Sequence, residues 1–275
     1  MSKAKKMSII FLSLSLVFLI IGASFHSLRI NRENEALFIL GVNMGIAMIS
    51  LFIIFLVYGI SILIIEKNNR LELALPIGKI LIGIEIIFTV IWGYPLSGGG
   101  EYMYELTCLS NLAGGILLIL DGILYKKRQI GLIYPYVLAC ILPVFFITVI
   151  CTIFNIAHFN FSGGFFFMHA INPLVILAFF TFFYPVNKKR ENIIVIFTSP
   201  LPILLFLLFD LIRFYIRGEL IYGLIPKEAM QVWIVILIGL IVYALIAFLA
   251  FGLLSLRKST YRFQERRRPP IKNES

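Results

Sequence analysis

The sequence predicts an all-α protein that crosses a membrane with about eight helices, and three observations lead to this fold class. Of the 275 residues, 60% are hydrophobic and 14% are charged, whereas soluble domains have about 45–50% apolar and about 25% charged residues. The apolar residues form long uninterrupted runs, each close to the roughly 20 residues that a helix needs to cross hydrocarbon. Lys and Arg lie in short clusters between these runs, a pattern typical of polytopic helical membrane proteins.

The composition also argues against other classes of protein. A transmembrane β-barrel would show shorter segments of alternating hydrophobicity. The net charge of +10 does not indicate a nucleic-acid partner, because the basic residues follow the ends of the apolar runs. The three cysteines lie within apolar runs and form no C-x-x-C motif, so they indicate neither a disulfide framework nor a zinc site. We therefore expect no metal and no cofactor.

Eight apolar runs define the expected helices. They cover about residues 7–23, 36–65, 73–92, 102–124, 130–156, 165–184, 192–216 and 228–256. The first run is longer than the apolar part of a typical signal peptide and no A-x-A site follows it, so we expect an uncleaved spanning helix. We divide the chain into two N-terminal transmembrane helices (1–71), a six-helix membrane core (72–256) and a basic cytoplasmic tail (257–275).

The basic clusters predict the topology. Lys and Arg are concentrated at 3–6, 67–70, 126–128, 188–190 and 257–268, whereas the loops at 93–101 and 157–164 contain neither. Eight helices with both termini in the cytoplasm place all five clusters on one side; the loop at 217–227 is the exception. We expect a multi-pass protein of the cell membrane, with membrane lipids around it and anionic lipid head groups at its basic tail. The sequence identifies no protein partner.

A polar stripe opens the fourth run. Thr107, Ser110 and Asn111 lie at i, i+3 and i+4 and therefore share one helix face. Polar groups at membrane depth cost free energy unless they meet other polar groups. The hydroxyl groups can bond carbonyl groups of their own helix, and Asn111 can bond a neighbouring helix, so a purely structural role is one interpretation of this stripe.

The predicted topology brings polar residues of three runs to similar depths, about one to two turns below the outer ends of their helices. They are Thr107 and Asn111 on the fourth run, His169 and Asn172 on the sixth, and Asp210 and Arg213 on the seventh. Asp210 and Arg213, at i and i+3, can also form a structural ion pair, and His169 can be a buried histidine with satisfied hydrogen bonds. Glu85 lies nearer mid-membrane and faces away from Lys79, so it needs a partner from another helix.

These residue types suit nucleophilic catalysis. A hydroxyl, an imidazole and a carboxylate at one depth can supply a nucleophile, a base and an orienting group. A threonine hydroxyl is a weak nucleophile until a base takes its proton, and histidine suits that role. We expect Thr107 to be the nucleophile, His169 to act as base and then acid, and Asn111 or Asn172 to donate to the oxyanion. No zinc-protease, nucleotide-binding or serine-hydrolase motif is present.

Three segments resemble a known family. The run Glu105-Leu-Thr-Cys-Leu-Ser-Asn-Leu112 resembles the "F-T-x-x-S-N-L" helix opening of bacterial integral membrane proteins related to the androgen-induced-protein family. The run Phe167-Met-His-Ala-Ile-Asn-Pro-Leu174 resembles its histidine-containing helix. The segment 210–218 resembles the "Y-x-x-x-R-G" at the end of the next helix. The segments occur in the family's order, and the resemblance covers about residues 72–256.

The resemblance implies a chemistry. Eukaryotic members are membrane threonine hydrolases that cleave esters of fatty acids with hydroxy fatty acids, and their catalytic threonine and histidine correspond by motif to Thr107 and His169. A more distant group uses a cysteine, which leaves Cys108 as an alternative nucleophile. The two N-terminal helices are additional to the family's core.

The expected function is therefore that of a membrane-embedded lipid ester hydrolase or acyltransferase, with membrane lipids as possible substrates. One alternative is a small-solute or ion transporter, in which Pro143, Pro200 and Pro202 interrupt helices and Glu85 lines a pathway. Another alternative is a non-catalytic scaffold that docks a partner through the basic tail.

Overall fold

A computed structural model describes residues 2–28, 35–68, 70, 73–93, 105–124, 133–153, 163–183, 189–220 and 231–266. Most of these residues are helical and none of them lies in a strand, which confirms the predicted all-α class. The helices are α1 (Lys3–Leu28), α2 (Glu35–Lys67), α3 (Ala74–Gly93), α4 (Leu106–Ile123), α5 (Ile133–Ile153), α6 (Gly163–Phe166), α7 (Asn172–Phe183), α8 (Lys189–Thr198), α9 (Leu201–Arg217) and α10 (Val232–Arg266). One π-helical turn, Phe167–Ile171, joins α6 to α7.

Seven helical segments of the described residues are long and apolar enough to cross a membrane, which makes this a multi-pass membrane protein. They are Ala4–Phe25, Met44–Lys67, Ala74–Gly93, Leu106–Ile123, Gly164–Thr181, Ile193–Arg217 and Val232–Thr260. A shorter apolar segment, Leu138–Val149, lies within α5, where the sequence predicts a further span. The helix α5 continues through Pro143.

The seventh predicted helix is divided into α8 and α9. Pro200 stands at the break, because a proline has no N–H to donate to the preceding turn. Pro202 lies in the first turn of α9, where a missing N–H is tolerated. Gly218 ends α9 with a φ of 69°, a left-handed conformation that glycine adopts without steric cost, and its N–H donates to the carbonyl of Phe214.

The last helix extends beyond its predicted end. α10 runs to Arg266 and so includes residues 257–266 of the predicted tail. Arg257 is buried, and its guanidinium donates to the carbonyl oxygen of Thr181 at 3.4 Å. The hydroxyl of Thr260 donates to the same oxygen at 2.9 Å. This part of the predicted tail therefore packs against the end of α7; residues 267–275 lie outside the described residues.

Helices α3 and α4 cross at two glycines. A Cβ atom on Gly83 would lie 2.6 Å from the carbonyl oxygen of Gly115, and a Cβ atom on Gly115 would lie 2.9 Å from that of Gly83. Neither distance leaves room for a methyl group, so the two backbones are in direct contact. Small residues at such crossings are typical of helix pairs in membranes. This contact holds α4, and with it Thr107, against α3.

Two buried clusters join the helices around this pair. One, formed by Ile86, Leu118, Ile141 and Ile176, connects α3, α4, α5 and α7. The larger one connects α4, α5 and α7 to α8, α9 and α10. Its members are Leu106, Leu138, Leu142, Phe180, Val195, Ile203, Phe206, Ile246, Ala250 and Leu254. The helix α1 packs along α2, and α2 in turn contacts α3 and α6.

Large apolar side chains also cover the outer faces of the helices. Examples are Ile20 on α1, Ile216 on α9 and Phe248 on α10, which are 58%, 75% and 71% exposed. A helix that is apolar on all sides is stable where both its protein contacts and its solvent are apolar. Such faces are typical of helices that cross a membrane.

Candidate active site

A proline shapes the turn that carries His169. The N–H of Asn172 donates to the carbonyl of Phe167, five residues back, which is the hydrogen-bond pattern of a π-helix. Pro173 follows and has no N–H, so it cannot donate to the carbonyl of Met168 or His169. The carbonyl of Met168 therefore has neither of its usual helical donors. It accepts instead from a side chain of α4, as described below.

Thr107 and His169 face each other across the interface between α4 and the π-turn. The hydroxyl oxygen of Thr107 lies 3.2 Å from Nε2 of His169. The other ring nitrogen, Nδ1, lies 2.9 Å from the carbonyl oxygen of Phe165. A carbonyl oxygen only accepts hydrogen bonds, so Nδ1 carries the proton in the neutral ring. The lone pair is then on Nε2, which accepts the hydrogen bond of the Thr107 hydroxyl.

Phe165 orients the imidazole in a second way. Its ring stacks on that of His169 with 3.9 Å between the centroids and 22° between the planes. The carbonyl and ring of one residue thus fix both the tautomer and the plane of the imidazole. In serine proteases an aspartate holds the histidine; here a backbone carbonyl occupies the corresponding position.

Two asparagines connect Thr107 and His169 to α3. Nδ2 of Asn111 donates to the carbonyl oxygens of Thr107 at 2.8 Å and Met168 at 3.1 Å. Oδ1 of Asn111 accepts from Nδ2 of Asn172 at 3.0 Å. Nδ2 of Asn172 also donates to the hydroxyl of Thr89, at 3.0 Å. Both asparagines are fully buried, so this network fixes the distance between the helix that carries Thr107 and the turn that carries His169.

This network changes the role expected for the asparagines. An amide NH₂ has two hydrogen atoms to donate, and both asparagines already use theirs on protein groups. Neither can donate to an oxyanion without losing one of these bonds. Oδ1 of Asn172 is buried without a hydrogen-bond partner among the described residues. Asn111 and Asn172 therefore support the geometry of the site.

The structure places Asp210 and Arg213 on α9. Nη2 of Arg213 donates to Oε2 of Glu219 at 2.8 Å, and this ion pair lies at the exposed end of α9. The hydrogen bonds around Thr107 and His169 run between α3, α4 and the segment from α6 to α7. The group that orients His169 in these bonds is the Phe165 carbonyl, whereas the sequence pointed to the carboxylate of Asp210.

Cys108, the alternative nucleophile, is fully buried next to Thr107. It packs with Val90 and Met168 in a small apolar cluster. The hydroxyl that lies within hydrogen-bond distance of His169 is that of Thr107. The geometry therefore favours oxygen over sulfur as the nucleophilic atom.

Sequence reasoning missed two groups of this site, Thr89 and the carbonyl of Phe165, and it also missed Asp121, which is the partner of Lys79 outside the site. Asp121 on α4 is fully buried and forms an ion pair with Lys79 on α3. A signal for this pair was present, because Lys79 near the start of α3 and Asp121 near the end of α4 have equal depth in antiparallel helices. The carbonyl of Phe165 had no such signal, since a backbone acceptor is not visible in residue types.

Backbone contact also positions α6. A Cβ atom on Gly164 would lie 2.1 Å from Cα of Gly93, at the end of α3. The phenyl ring and carbonyl that orient His169 belong to the next residue, Phe165. In the part of the chain that the structure describes, no three His, Cys, Asp or Glu residues are close enough to hold a metal ion.

Comparisons with known proteins return no relative: no protein-family model, no curated protein and no solved structure matches this chain.

Proposed function

We propose that the protein is a membrane-embedded lipid ester hydrolase or acyltransferase in which Thr107 is the nucleophile and His169 the general base. The observation that carries this proposal is the pair of bonds made by the His169 ring. Nδ1 donates to a carbonyl, which leaves Nε2 as an acceptor 3.2 Å from the Thr107 hydroxyl. A nucleophile within hydrogen-bond reach of an oriented base is the geometry of covalent acyl transfer.

The reaction proceeds in two steps. The oxygen of Thr107 attacks the ester carbonyl while Nε2 of His169 takes the hydroxyl proton; the proton then passes to the leaving alcohol, and an acyl-threonine ester remains. In the second step Nε2 takes a proton from water or from a second alcohol, whose oxygen attacks the acyl group. Thr107 recovers its proton from His169. Water as the acceptor gives hydrolysis, and an alcohol gives acyl transfer.

The oxyanion needs a donor, and the start of α4 supplies a candidate. The first N–H groups of an α-helix have no acceptor within the helix and carry its positive dipole end. Glu105, which precedes α4, forms no side-chain cap on these groups. Cys108 follows the nucleophile, and in α/β-hydrolases the N–H of the residue after the nucleophile is an oxyanion donor. We assign this role to the backbone N–H of Cys108.

The surroundings of the pair favour a lipid as the substrate. Thr107 is 5% exposed and lies at the start of a helix that is apolar enough to span a membrane. An ester that reaches this hydroxyl comes from within or beside the apolar phase. Membership of the androgen-induced-protein family is part of the same proposal. The motifs match Thr107 and His169 to that family's catalytic threonine and histidine, and the hydrogen bond between these two residues supports the match.

The proposal includes a location: the cell membrane, with both termini in the cytoplasm and the basic C-terminal residues at anionic lipid head groups. The alternation of basic clusters with loops that lack Lys and Arg supports this orientation. Fusing alkaline phosphatase or green fluorescent protein to the C-terminus tests it. A fluorescent and phosphatase-inactive C-terminus is expected, and the opposite result contradicts the orientation.

The catalytic proposal is tested on the purified full chain with fatty-acid esters of hydroxy fatty acids and with a fluorophosphonate probe. Thr107→Val removes the hydroxyl and keeps the side-chain shape, so hydrolysis and labelling should both be lost; Thr107→Ser should retain part of each. Thr198→Val is the matched control, because the Thr198 hydroxyl bonds the Ile194 carbonyl of its own helix. Equal turnover by wild type and Thr107→Val would show that Thr107 is not the nucleophile.

A further inference from the structure

A second site lies at the N-terminal helices, where α1, α2, α3 and α7 enclose a cavity of about 430 Å³. This volume is within the range of small-molecule sites, about 300–1,000 Å³. Its walls are almost entirely apolar; among the lining residues that the structure describes, only Tyr58 and Glu85 have polar side chains. Neither Thr107 nor His169 contributes to the wall, so the cavity is distinct from the candidate active site.

Glu85 is the unusual member of this wall. Glu85 is 6% exposed, and Oε1 of its carboxyl group is buried without a hydrogen-bond partner among the described residues. The neighbouring polar groups of α3 are engaged elsewhere: Lys79 pairs with Asp121, and the Thr89 hydroxyl donates to the Ile86 carbonyl and accepts from Asn172. A buried polar atom without a partner costs about 1–3 kcal/mol. The carboxyl group of Glu85 therefore brings unused hydrogen-bonding capacity to the wall of the cavity.

Tyr58 adds a second acceptor. Its hydroxyl donates to the carbonyl oxygen of Ala74 at 3.0 Å, which leaves the lone pairs of the hydroxyl oxygen to accept from a ligand. The two polar groups of the wall are thus both able to accept. A carboxylate ligand would find no cation among these lining residues, and a hydrocarbon would use neither polar group. A hydroxyl or an ammonium head group can donate to the carboxyl group of Glu85; the Tyr58 hydroxyl lies nearer to Ala74, at the other end of the cavity.

The shape of the cavity indicates where an apolar chain would lie. Along α3 the lining residues run from Leu75 to Glu85, which is about 15 Å at 1.5 Å per residue. Glu85 is the last of them, at the end nearer to Thr89. Phe11, Phe55 and Val175 supply apolar surface from the three other helices. A linear chain with its polar head at Glu85 fits this arrangement.

We propose that this cavity binds a long-chain alcohol or amine, with the hydroxyl or ammonium head donating to Glu85 and the chain packed between the α1–α2 pair and α7. The inference rests on the cavity and on the unpaired carboxyl oxygen, and it does not depend on the catalytic proposal. Binding would also join the N-terminal helices to the core, because the ligand contacts both.

Photolabelling of the full chain in lipid nanodiscs tests the proposal. The probes are diazirine derivatives of dodecan-1-ol, dodecylamine and dodecanoic acid, and labelled peptides are identified by mass spectrometry. The alcohol and amine probes should label peptides of α1 and α2 in a saturable way, with displacement by excess dodecan-1-ol. Saturable labelling by the acid that equals that by the alcohol, or labelling that no excess alcohol displaces, would overturn the proposal.

Variants separate the head-group contact from nonspecific partition. Glu85→Leu should reduce saturable labelling at least tenfold for both probes, whereas Glu85→Gln, whose amide oxygen still accepts, should preserve labelling by the alcohol better than labelling by the amine. Val175→Phe should block the cavity. Leu174→Phe is its matched control, since Leu174 is the adjacent residue on α7 and is 51% exposed. Labelling that Glu85→Leu leaves unchanged contradicts the assignment.

The stability of the unliganded protein gives an independent readout. Glu85→Leu removes an unpaired buried oxygen, so the melting temperature without added ligand should equal or exceed that of wild type. Excess dodecan-1-ol should raise the melting temperature of wild type, because a ligand that binds the folded state stabilises it. It should not raise that of Glu85→Leu; an equal rise in both would place the alcohol elsewhere.

Discussion

Nδ1 of His169 donates to the carbonyl oxygen of Phe165, 2.9 Å away, and this bond decides which ring nitrogen faces Thr107. The two residues are four positions apart, across the junction between α6 and the π-turn. The bond therefore depends on the local helix geometry. Any change that converts the π-turn into a regular α-helix alters the direction in which the imidazole points.

Pro173→Ala tests the role of the π-turn. Alanine restores an N–H that can donate to the preceding turn, which favours a regular α-helix through residues 167–173. We expect the hydrolysis rate and the rate of fluorophosphonate labelling to fall at least about tenfold, the equivalent of about 1.4 kcal/mol. The melting temperature should be unchanged or higher, because a proline has been removed from a helix.

The control for this change is Leu174→Ala, at an exposed position of the same turn of α7. It should leave the labelling rate near that of wild type. If Pro173→Ala labels as fast as wild type while it remains folded, the π-turn is not needed to orient His169.

Asn111→Leu tests the network that joins α4 to the π-turn. The substitution leaves the carbonyl of Met168 and the amide of Asn172 each without one hydrogen bond. Individual bonds between helices in membranes contribute about 0.6 kcal/mol on average, so we expect a loss of about 1–3 kcal/mol in the free energy of unfolding. Denaturant titration in mixed micelles measures it.

A double variant shows whether the two asparagines act together. Asn172→Leu alone should cost a similar free energy, and the loss in Asn111→Leu/Asn172→Leu should be smaller than the sum of the single losses, because the bond between the two is removed in each. Ser61→Ala is the control, since the Ser61 hydroxyl donates to the Val57 carbonyl of its own helix. Additive losses would contradict a shared network.

The helices and the pairing of Thr107 with His169 illustrate what the sequence can predict. Long apolar runs identify spans because the hydrocarbon thickness sets their length. The sequence predicted similar membrane depths for Thr107, Asn111, His169 and Asn172, because the helical rise per residue converts residue number into distance along the helix. Depth contains no information on the direction of a side chain around its helix. Asp210 and Thr107 had similar predicted depths, so depth alone did not separate them. The hydroxyl that lies within hydrogen-bond distance of His169 is that of Thr107.

The π-turn could not be predicted from the run that contains it. Pro173 indicates a local disturbance, but a proline can produce a kink, a break or a π-turn. The choice depends on neighbouring groups that satisfy the freed carbonyls, here the amide of Asn111. Likewise, the break at Pro200 divided one predicted helix into two, whereas α5 continues through Pro143.

Gly164→Ala tests the contact that positions α6. The new methyl group would lie 2.1 Å from Cα of Gly93 and 3.2 Å from the carbonyl oxygen of Thr89, so the backbones must separate. We expect a loss of about 1–3 kcal/mol in stability, together with slower fluorophosphonate labelling because Phe165 moves with α6. Gly252→Ala on α10, where nothing lies within 4 Å of the new methyl group, should be neutral or stabilising. Equal melting temperatures for the two variants would rule out a tight contact at Gly164.

The buried ion pair between Lys79 and Asp121 is tested by a double-mutant cycle. Lys79→Met leaves the fully buried carboxylate of Asp121 without its cation, and breaking such a pair costs about 3–5 kcal/mol. Asp121→Leu should be costly for the same reason. The double variant Lys79→Met/Asp121→Leu removes both charges, and apolar replacements of similar volume are often neutral or stabilising. We therefore expect it to be more stable than either single variant, as measured by denaturant titration. A double variant less stable than both single variants would mean that the pair contributes through contacts other than its charges.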